Sequence, residues 1–193
     1  MSKSRLDAFS DGVFAIAITL LVINLLPIRS DLAHHWPEYA AFAFSFLSIG
    51  VMWVNHHHLM DQLEHADRVL LFLNLLLLMG IAFVPFPTAL IGDNIRGDGA
   101  EASAIAYGCT GVYLAVFYNL LWHYGRLNLL RPGADPKVVS GISRSYMPGV
   151  PLYLTGALIA LGSPVGSAIF YAVIAVFYAI SSTFFGKEPI EAT

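Results

Sequence analysis

Charge is what this chain has least of. Asp, Glu, Lys and Arg make up 12% of its 193 residues, about half the ~25% share of an ordinary soluble domain. So few charges cannot clothe a water-facing surface. They gather in short stretches between long apolar runs, and 57% of the chain is hydrophobic, with a mean hydropathy of +0.68. The net charge of −3 is too small and of the wrong sign for a nucleic-acid partner or a polybasic membrane-surface binder. Cysteine is nearly absent. Cys109 alone cannot form an intrachain disulfide, and it lies in an apolar run as a small buried side chain would. There is no HExxH, no GxSxG and no pair of intramembrane aspartates, so neither a metalloprotease nor a membrane hydrolase is indicated.

What is present is a series of apolar stretches. A hydrocarbon core of about 30 Å takes about 20 helical residues to cross. Six stretches meet that need: 8–28, 37–59, 69–91, 102–124, 146–162 and 165–185. Gly162-Ser163-Pro164 punctuates the last two, which together exceed one crossing. Lys3 and Arg5 ahead of the first stretch look like a signal peptide. That stretch is too long, however, contains Asp11 and lacks a small-x-small site at its end. The expectation is an all-α integral membrane protein with six transmembrane helices, forming a single domain over 1–193.

Orientation follows from Lys and Arg. With six crossings, Lys3, Arg5, Arg68, Arg126, Arg131, Lys137, Arg144 and Lys187 share one side, leaving Arg29 and Arg96 on the other. Both termini are therefore expected in the cytoplasm, in a multi-pass protein of the cell membrane.

Polar residues inside apolar helices are costly and turn toward protein or water. Arg5, Ser10 and Asp11 start the first stretch. Trp53, Asn55, His56, His57 and His58 end the second, and Asn74 lies in the third. This topology puts them at similar depth in one leaflet. The bland reading is a polar clasp holding three helices together; a proton relay or ion site is the sharper one. No metal site is expected, because consecutive histidines on a helix point about 100° apart and cannot converge alone. The first stretch carries a separate signal. At 100° per residue, Gly12, Thr19, Leu20, Ile23 and Pro27 fall within about 60° of Ile16, while Ser10 and Asp11 fall well off that stripe. From pattern alone, such a stripe serves lipid contact or helix packing.

Arg5-x-x-x-Phe9-Ser10-Asp11 followed by GVFAIAITLLV resembles the signature of the endosomal/lysosomal potassium channel family (transmembrane protein 175), in its prokaryotic single-repeat branch. SFLSIGVMWVNHHHL (45–59) and NLLLLMGIAFVPFPTALI (74–91) are similar to that family's second and third helices, in order. The likeness covers about the first half of the chain closely. It implies a homotetrameric cation channel whose first helix lines the pore, with no re-entrant filter loop; TVGYG is absent here. It also implies that Ile16 forms the main constriction, that Leu20 and Ile23 line the pore, and that Thr19 forms a hydroxyl layer linked to selectivity. Arg5, Ser10 and Asp11 would join Trp53, His57 and Asn74 in the clasp. The expected partners are copies of itself, the bilayer, and potassium and other monovalent cations. No nucleic acid and no cofactor beyond the permeant potassium ion are expected. Without a carbonyl cage, preference for potassium over sodium should be modest. The alternative is a proton-coupled secondary transporter using the Asp/His/Asn cluster, although no inverted repeat or broken-helix pair is visible. An enzyme using the histidines is a third class.

Overall fold

Aspartate and proline set most of the helix boundaries. In the computed structural model, which describes residues 2–25 and 36–185, the regular secondary structure of the described residues is helical apart from one isolated bridge. In order come α1 (Lys3–Leu20), a 3-10 segment (Leu21–Leu25), α2 (Trp36–Asp61), α3 (Arg68–Phe83), α4 (Pro85–Asn94), α5 (Ala100–Asn128), α6 (Pro136–Tyr146), α7 (Gly149–Ala160) and α8 (Pro164–Phe185). Asp67 caps α3 by accepting the Leu70 N–H at 2.8 Å, satisfying a donor that has no intrahelical partner. Burial pushes the Asp67 carboxyl up, but hydrogen bonds from the Leu70 N–H and the Tyr124 hydroxyl outweigh it and hold the group below its usual range. Asp135 caps α6 in the same way, at 2.8 Å from the Lys137 N–H, with Pro136 pre-set for the first turn. Gly133, at φ +80°, makes the reversal that leads into it.

The third apolar stretch divides. Pro85 and Pro87 have no N–H to give, so the ladder breaks at Val84 and resumes when the Thr88 N–H reaches the Val84 carbonyl at 3.2 Å. The residues on both sides still form one apolar segment, Arg68–Asn94. Among the described residues, this segment and Lys3–Ile23, Trp36–Asp61 and Ala100–Asn128 are long and apolar enough to cross a membrane. Pro164–Ile180 is a shorter apolar helix. The fifth expected span, 146–162, begins at the last residue of α6 and is otherwise helical over the 12 residues of α7, about 18 Å at 1.5 Å per residue. α6 was not expected at all. Its apolar residues lie on one side and its average is neutral, so a search for long apolar runs passes over it. The far end of the first stretch, with Pro27 and Arg29, lies outside the described residues, as does Lys187.

Two apolar clusters hold the helices together. One joins α1, α2, α3, α5 and α6 through side chains such as Phe14, Ile49, Leu77 and Leu121. The other is a tyrosine-rich seam of α5, α7 and α8, where the Tyr107 and Tyr171 rings lie 5.1 Å apart and the Tyr171 hydroxyl donates to the Ala104 carbonyl at 3.0 Å. Small residues let these helices approach, as is usual where lipid supplies no hydrophobic drive between them. A Cβ on Gly111 would run into the Tyr153 ring. Gly111→Ala is therefore expected to lower stability by about 1–3 kcal/mol, read as a lower unfolding temperature in detergent. An unchanged midpoint would show that the tyrosine yields freely.

Candidate functional site

The two faces of α1 behave oppositely. Leu6, Ser10, Phe14, Ala17 and Leu21 recur every three or four residues and are buried against α2 and α3, the spacing of one helical face. The other face carries Gly12, Ile16, Thr19, Leu20 and Ile23. Ile16 is 60% exposed, Ile23 54% and Leu20 39%. Thr19 is exposed too, and a Cβ added at Gly12 would meet open space. An apolar ridge therefore runs along α1 and its 3-10 extension without a packing partner among the described residues. The Thr19 hydroxyl donates to the Ile16 carbonyl at 2.9 Å. Its proton is thus turned to the backbone and its lone pairs outward. Ile18, by contrast, packs against the core.

Behind the ridge is a chain of polar contacts with a definite direction. The Ser10 hydroxyl lies 2.9 Å from the Leu6 carbonyl, which can only accept, so Ser10 donates there. The Asn74 amide nitrogen then donates to Ser10 Oγ at 3.0 Å. That leaves Asn74 Oδ1 to accept from His56 Nε2, 2.7 Å away, which requires the tautomer protonated at Nε2. Ser10, Asn74 and His56 are all buried, and the His56 ring lies 5.4 Å from Phe14. The series ties α1 to α3 and α3 to α2. A second tie joins α1 directly to α2, where Trp53 Nε1 donates to Asp11 Oδ1 at 2.8 Å. This pair is exposed in the chain.

The structure thus brings together Ser10, Asp11, Trp53 and Asn74 of the expected clasp, but its imidazole belongs to His56 and not to His57. His57 is exposed, with Nε2 3.8 Å from Asp61 and its ring 5.9 Å from Trp53. One residue of helix is about 100° of rotation, so only one of two consecutive histidines can face Asn74. Arg5 is also outside the clasp. It is exposed and, eleven residues before Ile16, lies about 20° from it around the helix, on the ridge face. No three His, Cys, Asp or Glu side chains among the described residues are placed to hold a metal ion.

The chain is similar to several known proteins. The family model described as endosomal/lysosomal potassium channel TMEM175 matches residues 5–85, a stretch that contains the ridge and the clasp. A potassium channel of Chamaesiphon minutus is 38% identical over 190 residues, covering 92% of this chain and 94% of that protein. One from Streptomyces collinus is 42% identical over 154 residues, covering 74% and 73%. The human endosomal/lysosomal proton channel TMEM175 is 29% identical over 139 residues, which is 63% of this chain but 28% of the human protein. The crystal structure of a lysosomal potassium-selective channel TMEM175 homolog from Chamaesiphon minutus superposes with a TM-score of 0.85 at 36% identity, over 93% of this chain and 97% of that one. By its sequence, the order of its apolar helices and its near-complete superposition on that homolog, this multi-pass membrane chain belongs to the TMEM175 family.

Proposed function

We propose that the chain forms a potassium-permeable cation channel, a homotetramer with α1 at its axis. The observation that carries this reading is the exposed ridge of α1 set against its locked opposite face. A single apolar helix cannot enclose a path for ions, but several copies arranged around an axis can. Names of relatives as potassium channels support the same reading. They favour a channel over the proton-coupled transporter and over an enzyme.

In this reading the whole of 1–193 is one six-span domain, with α7 a short fifth crossing between α5 and α8. Both termini face the cytoplasm of the cell membrane, on the side richer in Lys and Arg. Copies of Ile16 ring the narrowest point, which closes by steric contact and by expelling water. Leu20 and Ile23 extend the apolar path. Thr19 presents hydroxyl lone pairs to a cation that has shed part of its hydration, and no cofactor takes part. The clasp of Ser10, Asn74 and His56, with Asp11 and Trp53 beside it, fixes the rotation of α1 so that this face meets the axis.

Reversal potentials under bi-ionic potassium/sodium conditions in a planar bilayer test the reading. The expected result is a modest potassium preference; no current from well-assembled protein would overturn it. Thr19→Val keeps the side-chain shape and removes the lone pairs. It is expected to retain conduction and shift the reversal potential toward equal permeability, and an unshifted potential would remove Thr19 from the selectivity layer.

A further inference from the structure

Where α5 gives way to α6, an open cavity of about 360 Å³ lies between them, away from the α1 ridge. Arg126, from the last turn of α5, faces Arg144, Ser140 and Ser143 of α6 across an apolar floor that includes Leu130 and Val139. No carboxylate among the described residues lines it. Among the described residues, Arg126 Nε is buried without a hydrogen-bond partner, and the Arg126 Nη2 nitrogen lies 3.5 Å from His123 Nδ1. Arg144 is exposed. Neither guanidinium meets a carboxylate among the described residues. The serine protons are already committed: Ser143 donates to the Val139 carbonyl at 2.8 Å and Ser140 to the Lys137 carbonyl at 3.1 Å. Among the described residues, the two arginines are therefore the free donors of the cavity.

The cavity also has a definite depth. Arg126 sits at the end of the candidate span Ala100–Asn128. Trp122, one turn earlier, is buried and donates through Nε1 to Ser143 Oγ at 2.8 Å, which ties the end of α5 to α6. α6 buries Gly141, Ile142 and Tyr146 and exposes Lys137 and Arg144, the pattern of a helix lying in the interface. Two uncompensated guanidiniums over an apolar floor, at headgroup depth, fit a phosphate that carries acyl chains. Arginine forks match phosphate oxygens in pairs, and a basic pocket beside membrane helices is a headgroup site.

We propose that Arg126 and Arg144 hold the phosphate of an anionic phospholipid in this cavity. The site is separate from the α1 ridge, so the test reads binding and stands whether or not the channel reading does. Full-length protein in detergent is titrated with short-chain phosphatidylglycerol, with phosphatidylcholine of the same chains, and with inorganic phosphate, and bound lipid is counted by native mass spectrometry. Phosphatidylglycerol should bind about tenfold or more tightly than phosphatidylcholine, and Arg126→Gln with Arg144→Gln should abolish the difference. Arg68→Gln, an exposed arginine outside the cavity, should change binding by less than about twofold. If the double variant assembles poorly, the exposed Arg144→Gln alone should still weaken phosphatidylglycerol about fivefold. Undiminished binding by the variants, an equal loss in Arg68→Gln, or full displacement by inorganic phosphate at the lipid's own concentration would each overturn the proposal.

Discussion

Ile16→Asn is expected to raise the resting current through the assembled protein and to weaken ion discrimination, whereas Ile18→Asn is expected to do neither. Ile16 is 60% exposed on the ridge. In the proposed assembly its copies close the path by excluding water. An amide at that point shortens the apolar stretch and gives water hydrogen-bonding groups. A barrier lower by only about 1.4 kcal/mol is a tenfold faster passage, and several copies change at once, so the rise should be about tenfold or more. Ile18 sits about 160° further round the helix and packs against the core. An amide there meets apolar side chains and should cost stability. The pair separates a change in the pore from a general disturbance of a membrane helix. If both variants conduct alike, or if Ile16→Asn lowers the current of a well-formed assembly, α1 does not line the path.

Asn74→Ala is expected to loosen the packing of α1 and to impair assembly. It removes both of the buried contacts that run through Asn74, leaving His56 Nε2–H without an acceptor and Ser10 Oγ without a donor. A buried unpaired polar group costs about 1–3 kcal/mol. Hydrogen bonds between membrane helices average nearer 0.6 kcal/mol, because the loosened state finds other partners. A total loss of about 1–3 kcal/mol for the two contacts follows, seen as a lower unfolding temperature and a smaller fraction of intact oligomer. A Ser10→Ala/Asn74→Ala double-mutant cycle should show a coupling of at least about 0.5 kcal/mol; strictly additive losses would mean that the two side chains do not depend on each other. Asp11→Ala should cost less, because the Asp11–Trp53 pair is exposed in the chain. If the assembly falls apart with Asp11→Ala but survives Asn74→Ala, that order is wrong.

The membrane class was legible from composition and run length, since burying nearly uncharged 20-residue segments leaves few alternatives to a helix in hydrocarbon. The ridge was legible as a direction, because helical rotation alone puts Gly12, Ile16, Thr19, Leu20 and Ile23 on one side. The RxxxFSD signature carried the family. α6 was missed because a short amphipathic helix has no long apolar run, and the proline break at Val84 was passed over because the apolar run continues straight through it.

By itself, then, the sequence determined which segments are apolar, which side of α1 carries the ridge, and which polar residues must find partners at a common depth. Only the tertiary structure decided who those partners are. Taking Trp53 as zero, His56 lies about 60° to one side of it and His57 about 40° to the other, so both share its face and rotation cannot choose between them. The position of α3 makes the choice, because Asn74 meets His56 at 2.7 Å and His57 is left facing Asp61. Likewise, periodicity could not tell a ridge that packs from one that stands free. The ridge of α1 stands free because Phe14, Ala17 and Leu21 take the packing against α2 and α3, and one helix cannot present both faces to the same neighbours.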